Sequence, residues 1–482
     1  MNVISVSRRS VLRSMAYASG GVLLDSEGLL GEAQFASKRP APSARKFRSK
    51  AVDGAIESTA AKIADPELAW LFSNCLPNTL DTTVELGVFE GKPDTVVVTG
   101  DIPAMWLRDS SAQVWPYLPF ATGDDRLARL IEGVIRRHTR CILVDPYANA
   151  FMPDLADKTP LEWSRSDRTV MKPGVGERKW EVDSLCYPVR LAHGYWKATH
   201  DASPFDAQWM AAMHGIVETF KAQQRKSSQG PYSFQRMAWS PTDTLGEDGY
   251  GSPARSVGLI FSGFRPSDDA CVYPLNIPGN FFAEETLLRL EEMFTEIAHD
   301  TAAAREARQL AEEVKAALAT HARQLHPTAG AIWAYEIDGY GNAIFMDDAN
   351  VPSLLAMPYL ETCSIDDPLY QATRRFVLSG ANPYFYRGTA AEGVGGPHVG
   401  KDMIWPMSII MRAFTTRDET EQLECLRWLK ASNAGTGFMH ESFNKNDPRK
   451  FTRAWFAWAN TLFGELVLKI ERDSPGLLRQ RI

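Results

Sequence analysis

Apolar residues recur at three- and four-residue spacing, with Glu, Lys, Arg and Gln between them, in five long segments: residues 201–225, 283–299, 301–324, 419–430 and 452–470. That period lays one apolar stripe along each helix. Stretches of another kind separate them, aromatic-rich and punctuated by Gly and Pro, at residues 98–119, 172–188, 262–280, 384–405 and 434–449. These read as loops. No linker-like composition divides residues 51–482, so a single domain is expected. Helices returning every few dozen residues with elaborate loops fit an all-α fold, an α/α toroid whose paired helices ring a pit lined by loops on one face.

Charge and composition remove several function classes. Residues 51–482 carry a net charge of −13, while the first fifty hold 9 Lys and Arg against 3 Asp and Glu. An acidic body argues against a nucleic-acid partner. Apolar residues at 44% and charged residues at 23% exclude a disordered, collagenous or membrane-embedded chain. The six cysteines form no CxxC pair and have no His at ligand spacing, so they read as core thiols and not as a zinc site or a disulfide framework.

Residues 1–50 are a different kind of sequence. Arg8 and Arg9 open a short, Gly- and Ala-containing apolar run to Leu24, followed by a polar stretch through Lys50. This is the pattern of a twin-arginine export signal and disordered leader, which implies a periplasmic or extracellular protein. The run is interrupted by Arg13 and is too short for a stable membrane span of about 20 residues.

Two loops carry carboxylates suited to acid–base work. In SGFRPSDDACVYPLNIP, Asp268 and Asp269 follow Arg265 and a proline and precede apolar residues, a setting in which one carboxyl group can retain its proton. In GTGFMHESF, 173 residues later, His440 and Glu441 sit among aromatic and thioether side chains, where Glu441 could activate water. Neither an H-E-x-x-H zinc helix nor a serine triad is present there. Three further segments set Trp beside ions: Trp106 with Arg108 and Asp109, Trp180 with Asp183, and His398, Lys401 and Asp402 with Trp405. Sugars match such segments, with hydroxyls for the ions and a C–H face for the indole. Any one of them alone would equally serve as an ion pair tying a loop down; five on one chain point to a carbohydrate.

The runs DIPAMWLRDSSAQVWPY, KWEVDSLCYPVRLA, FRPSDDACVYPLNIPGNFF, HVGKDMIWPMSIIMRA and GFMHESFNKNDPRKFTRAWFAWANTLFGEL together resemble glycoside hydrolase family 125, from about residue 55 to 472. The resemblance implies an (α/α)6 barrel over residues 51–482 and an exo-acting α-1,6-mannosidase that inverts the anomeric carbon and needs neither metal nor cofactor. Its partner would be a glycan or mannan ending in α-1,6-linked mannose. Matched position by position, the general base is Glu441. The general acid falls on Asp268 by loop order, with the adjacent Asp269 as the alternative. Arg108, Asp109, Asp183, Arg265, Asp269, His398, Lys401, Asp402 and His440 are expected at sugar hydroxyls or beside the carboxylates, with Trp106 or Trp405 as stacking walls. The stretch Asp347, Asp348, Asn350 is acidic but lacks the spacing of a calcium loop.

Two other functions fit the residues: a different inverting glycosidase or a polysaccharide lyase on the same toroid, and a carbohydrate-binding protein without turnover. A lyase releases an unsaturated sugar, and a binding protein retains ligand without releasing mannose.

Overall fold

The computed structural model describes residues 35–237 and 240–482, so the first 34 residues of the export signal and leader expected over residues 1–50 lie outside them. The boundary expected at residue 50 moves toward the N-terminus. The Lys38 amide donates to Asn74 at 2.9 Å, the Trp70 indole donates to the Ala36 carbonyl at 2.8 Å, and Phe47 is buried. Arg39 bridges Asp81 and Asp53 at 2.7 and 2.9 Å. Residues 35–50 thus pack against the body because their basic and aromatic side chains have partners there.

Thirteen α-helices lie among the described residues: α1 (Lys50–Ala60), α2 (Pro66–Cys75), α3 (Asn78–Thr82), α4 (Leu107–Val114), α5 (Asp125–Val144), α6 (Val182–Thr199), α7 (Ala207–Gln223), α8 (Ile277–Glu296), α9 (Thr301–His321), α10 (Pro368–Val377), α11 (Pro406–Phe414), α12 (Glu419–Ala431) and α13 (Ala457–Asp473). None is long and apolar enough to cross a membrane. They form two layers. Centrally, α4 packs on α6, α6 on α8, α11 on α13, and α13 returns to α4. Residues 351–362, which are not helical, bridge α6 and α11: Tyr187 of α6 donates to the Val351 carbonyl at 2.9 Å, and Tyr359 packs on Phe414 of α11. Behind this layer α5 lies on α6, α9 on α8, α12 on α11, and α2 on α13. All six cysteines are free, and five are buried.

The two layers start their helices differently. In α2, α5, α7, α9, α10 and α12 the first turn is capped by an aspartate, at 65, 124, 206, 300, 367 and 418, whose carboxylate accepts backbone N–H groups left unpaired at a helix start. The central helices α4, α6, α11 and α13 have no side-chain cap; they follow Trp106, Glu181, Trp405 and Phe456.

The expected all-α class is corrected in the loops, where six small antiparallel sheets of two or three strands lie among the described residues. Buried loop backbone must pair its polar groups, and short strands achieve this. Three of these sheets anchor the approach to central helices. Met105–Trp106 pairs with Ala150–Phe151, Leu275–Asn276 with Glu336–Ile337, and Met403–Ile404 with Ser442–Asn444.

Deeper along the central helices lies a closed layer. Trp115, Arg190, Phe414 and Glu465 each stand eight residues past the first residue of α4, α6, α11 and α13. At the helical rise that is about 12 Å from the helix starts. The Arg190 guanidinium lies 3.7 Å from the Trp115 ring centre and 4.7 Å from that of Tyr359. The Tyr359 hydroxyl donates to Glu465 at 2.9 Å, and its ring sits 5.0 Å from Phe414. These side chains meet across the middle of the central helices and form a floor.

Candidate active site

The loop bearing Asp268 is closed by a bridge between Phe264 and Ala270. Inside it the Arg265 amide donates to the Asp269 carbonyl at 2.7 Å and the Asp268 amide to the Arg265 carbonyl at 2.9 Å. Asp268 thereby takes a left-handed backbone, φ 67°, which Asp tolerates better than most residues. Lys179, fully buried, holds this turn from beneath: its ammonium donates to the Asp268 carbonyl at 2.7 Å and to Asp243 at 2.6 Å. Ser267 donates to Asp348 at 2.7 Å. Arg265 pairs through its side chain with Glu336 and not with the Asp269 carboxylate. Its Nε lies 2.5 Å from Glu336, both side chains are buried, and Glu336 also accepts the amides of Val272 and Tyr273. Arg265 therefore pins the loop to the neighbouring sheet.

Arg108, in the first turn of α4, gathers the carboxylates. Its guanidinium lies 2.6 Å from Glu181, 3.2 Å from Asp183, 3.3 Å from Asp268 and 3.5 Å from Asp109, with every side chain nine-tenths or more buried. Burial pushes the Glu181 carboxyl well above its ordinary range, with Arg108 pulling the other way and the charges of Asp268 and Asp183 adding to the rise. Burial raises Asp183 too, against Arg108. A carboxyl group in this cluster is a candidate to carry a proton at neutral pH.

Glu441 precedes the hairpin formed by Ser442–Asn444 and Asp447–Thr452. The cation facing it is Arg453, at 3.6 Å, itself bonded to Asp101 and to the Thr99 carbonyl. His440 is not that cation. Its ring is buried and stacked on Phe451 at 3.9 Å, with its nitrogens 3.2 Å from the carbonyls of Arg453 and Asn433. Burial lowers its pKa while those carbonyls oppose the shift, and the stacked, carbonyl-held ring braces the hairpin.

His398 links the two carboxylate loops. Its Nδ1 lies 3.5 Å from Asp269. Burial would lower its pKa, but the hydrogen bond and charge of Asp269, and the charges of Glu441 and Asp268, raise it. One imidazole therefore feels all three carboxylates, and Asp268, Asp269 and Glu441 are each buried with only a sliver of surface. Beside it, Trp405 is buried against Phe456 and His398, and among the described residues neither its indole N–H nor Asp269 Oδ2 has a hydrogen-bond partner. Such atoms suit sugar hydroxyls.

The remaining expected residues divide. Trp106 is buried with Ala104, Ala150 and Leu161 at the start of α4, two residues before Arg108. Lys401 is exposed, and Asp402 pairs with Lys445 at 2.7 Å, so this pair stands at the rim, outside the buried cluster. Sequence reasoning passes over Glu181, Lys179 and Arg453. For Glu181 the signal was present, since it lies between Trp180 and Asp183 in a segment already marked for its ions. For Lys179 and Arg453 the sequence carries none, because their roles depend on loops 89 and 352 residues away. Among the described residues no three His, Cys, Asp or Glu come together to hold a metal ion. Asp347 instead accepts the amides of Leu354 and Leu355 at 2.8 and 3.0 Å.

Three comparisons bear on this site. The family described as metal-independent alpha-mannosidase (GH125) matches residues 65–468. The "Meiotically up-regulated gene 157 protein" of Schizosaccharomyces pombe is 42% identical over 458 residues, covering 92% of this chain and 90% of that protein. A solved structure from Streptococcus pneumoniae, described as a metal-independent alpha mannosidase in a non-productive complex with alpha-1,6-mannobiose, is 42% identical with a TM-score of 0.84. The match covers 89% of this chain and all of that one.

Proposed function

The chain belongs to glycoside hydrolase family 125, the metal-independent α-mannosidases, and from that premise we propose that it removes terminal α-1,6-linked mannose from glycans, one unit at a time, with inversion. The observation carrying this reading is the buried set of ions that two loops 173 residues apart supply, with Asp268 3.3 Å from Arg108, Asp269 3.5 Å from His398 and Glu441 3.6 Å from Arg453. Asp268 is the general acid and protonates the leaving oxygen. The C1–O bond breaks with its electron pair on that oxygen, while Glu441 takes a proton from the water that attacks C1 on the opposite face. Arg108, Asp109, Asp183, Asp269 and His398 hold hydroxyls, and Trp405 offers a wall and its unpaired N–H.

Several features support the finer claims. The Streptococcus pneumoniae relative holds alpha-1,6-mannobiose, which favours that linkage. An exo-acting enzyme needs a pocket blind at one end, and the floor of Trp115, Arg190, Tyr359, Phe414 and Glu465 favours a blind end. Five central helices with residues 351–362 beside them, four of the five backed by an outer helix, favour an (α/α)6 barrel. The Arg8–Arg9 leader favours export, tested by whether replacing both arginines with lysine keeps the protein in the cytoplasm.

The decisive experiment follows α-1,6-mannobiose by proton NMR. β-Mannose as the first product is expected; α-mannose first overturns inversion, and no free mannose overturns turnover.

A further inference from the structure

The Arg108 cluster holds more negative charge than its cation can balance. Asp109 from α4, Glu181 and Asp183 at the start of α6, and Asp268 from its loop all lie within 3.5 Å of one guanidinium, shielded from water. The other charged groups facing them are already engaged: Lys179 with Asp243, Arg236 with Asp167 and Glu177, Arg265 with Glu336, His398 with Asp269, and Arg453 with Glu441. Desolvated carboxylates in contact do not all ionise together. Glu181 is the most enclosed of the four. It receives Arg108 Nη1 at 2.6 Å, Ser184 Oγ at 2.8 Å and Asn149 at 3.4 Å, while Asp268 takes the neighbouring Nη2 of the same guanidinium at 3.3 Å. Two desolvated carboxyl groups held on one guanidinium relieve their repulsion by keeping a proton.

We propose that Glu181 and Asp268 hold one proton between them, and that Glu181 is the buried partner that keeps Asp268 able to donate with a guanidinium 3.3 Å away. The inference rests on reading Asp268 as the general acid. When the leaving oxygen takes the proton, the pair becomes doubly negative against Arg108, whose charge stabilises it at that moment. The attacking water gives its proton to Glu441, and a proton returning through solvent at the partly open Asp268 carboxyl restores the shared state.

Glu181→Gln preserves size but cannot share the proton, so Asp268 loses the partner that holds the proton with it, stays beside Arg108 and ionises earlier. On α-1,6-mannobiose the basic limb of kcat/KM against pH moves down by about one unit or more, and kcat near neutrality falls about tenfold or more with KM within about twofold. On an activated aryl α-mannoside, whose leaving group needs little protonation, the loss is much smaller. An unmoved basic limb, or equal losses on both substrates, overturns the proposal. If Glu181→Gln does not fold, infrared spectra of the wild type and Asp268→Asn at neutral pH replace it. A protonated-carboxyl band that Asp268→Asn alters supports the shared proton, and the absence of such a band overturns it. Turnover surviving in Asp268→Asn is a separate outcome, which removes the acid assignment itself.

Discussion

The same central helices bury ions at two depths, and the two layers use them oppositely. At the helix starts, four carboxylates crowd one guanidinium, and His398 lies 3.5 Å from Asp269. Eight residues further along, a single arginine is sandwiched between two aromatic rings and a single glutamate is bonded by a tyrosine. The upper layer keeps polar atoms without protein partners, Asp269 Oδ2 and the Trp405 indole N–H among them. The lower layer is closed by aromatic surface. Buried charge is costly in both places; above, it is retained where chemistry needs protons moved, and below, where the helices need a brace.

The contrast predicts that upper substitutions change rate and lower ones change stability. Asp268→Asn and Glu441→Gln should each lower kcat/KM on α-1,6-mannobiose by about 10²–10⁴-fold, with the melting temperature near wild type. A melting temperature that falls in step with activity would erase the distinction. Arg190→Met should cost about 2–3 kcal/mol of stability by denaturant unfolding, since it removes the cation between two rings, while turnover per folded molecule stays within about twofold. A rate loss without a stability loss would place Arg190 in the upper class.

Glu465 sharpens the lower layer through pH. Burial holds its pKa at about 6 against an ordinary 4.5, with Arg190, Tyr359 and Trp115 opposing the rise. The folded protein therefore binds this proton more tightly than the unfolded chain. That contribution is fully present below about 4.5 and is lost as pH rises through about 6. Glu465→Gln should flatten this decline and gain on the order of 1 kcal/mol at pH 7–8, measured by unfolding at several pH values; an unchanged pH profile would contradict it. The smallest expected effect is none: a chelator should leave turnover unaltered, and a fall restored by calcium would refute metal independence.

How much of this was legible in the sequence depends on the layer. The outer helices α7, α9 and α12 face solvent on one side, so their apolar period shows in residues 201–225, 301–324 and 419–430. α5 carries the same period through Leu127, Leu130, Ile131 and Val134 and was equally readable. The central helices α4 and α6 are not, although α13 and most of α8 show it in residues 452–470 and 283–299. All eight residues of α4 are buried, as are Val182 through Ala192 of α6, which also contains Pro188; without a polar face there is no period, and both read as loops. α8 starts at Ile277, inside residues taken for a loop, because its first turns are apolar all round. The site shows the same split. Motif order located Asp268, Glu441 and Arg108, but burial had to reveal that Arg265 and His440 are braces and that Lys401 and Asp402 stand at the rim. The Asp348–Ser267 bond, likewise, could not be inferred from two short acidic motifs 81 residues apart.

The floor has a consequence for how products depart. For the proposed exo-acting enzyme, a recess shut at its base would have one doorway, so the severed monosaccharide would lie behind the trimmed chain and leave only after the chain withdraws. Under that reading mannose accumulating outside would re-enter the same recess and compete with the next chain end, so turnover would slow as the reaction succeeds.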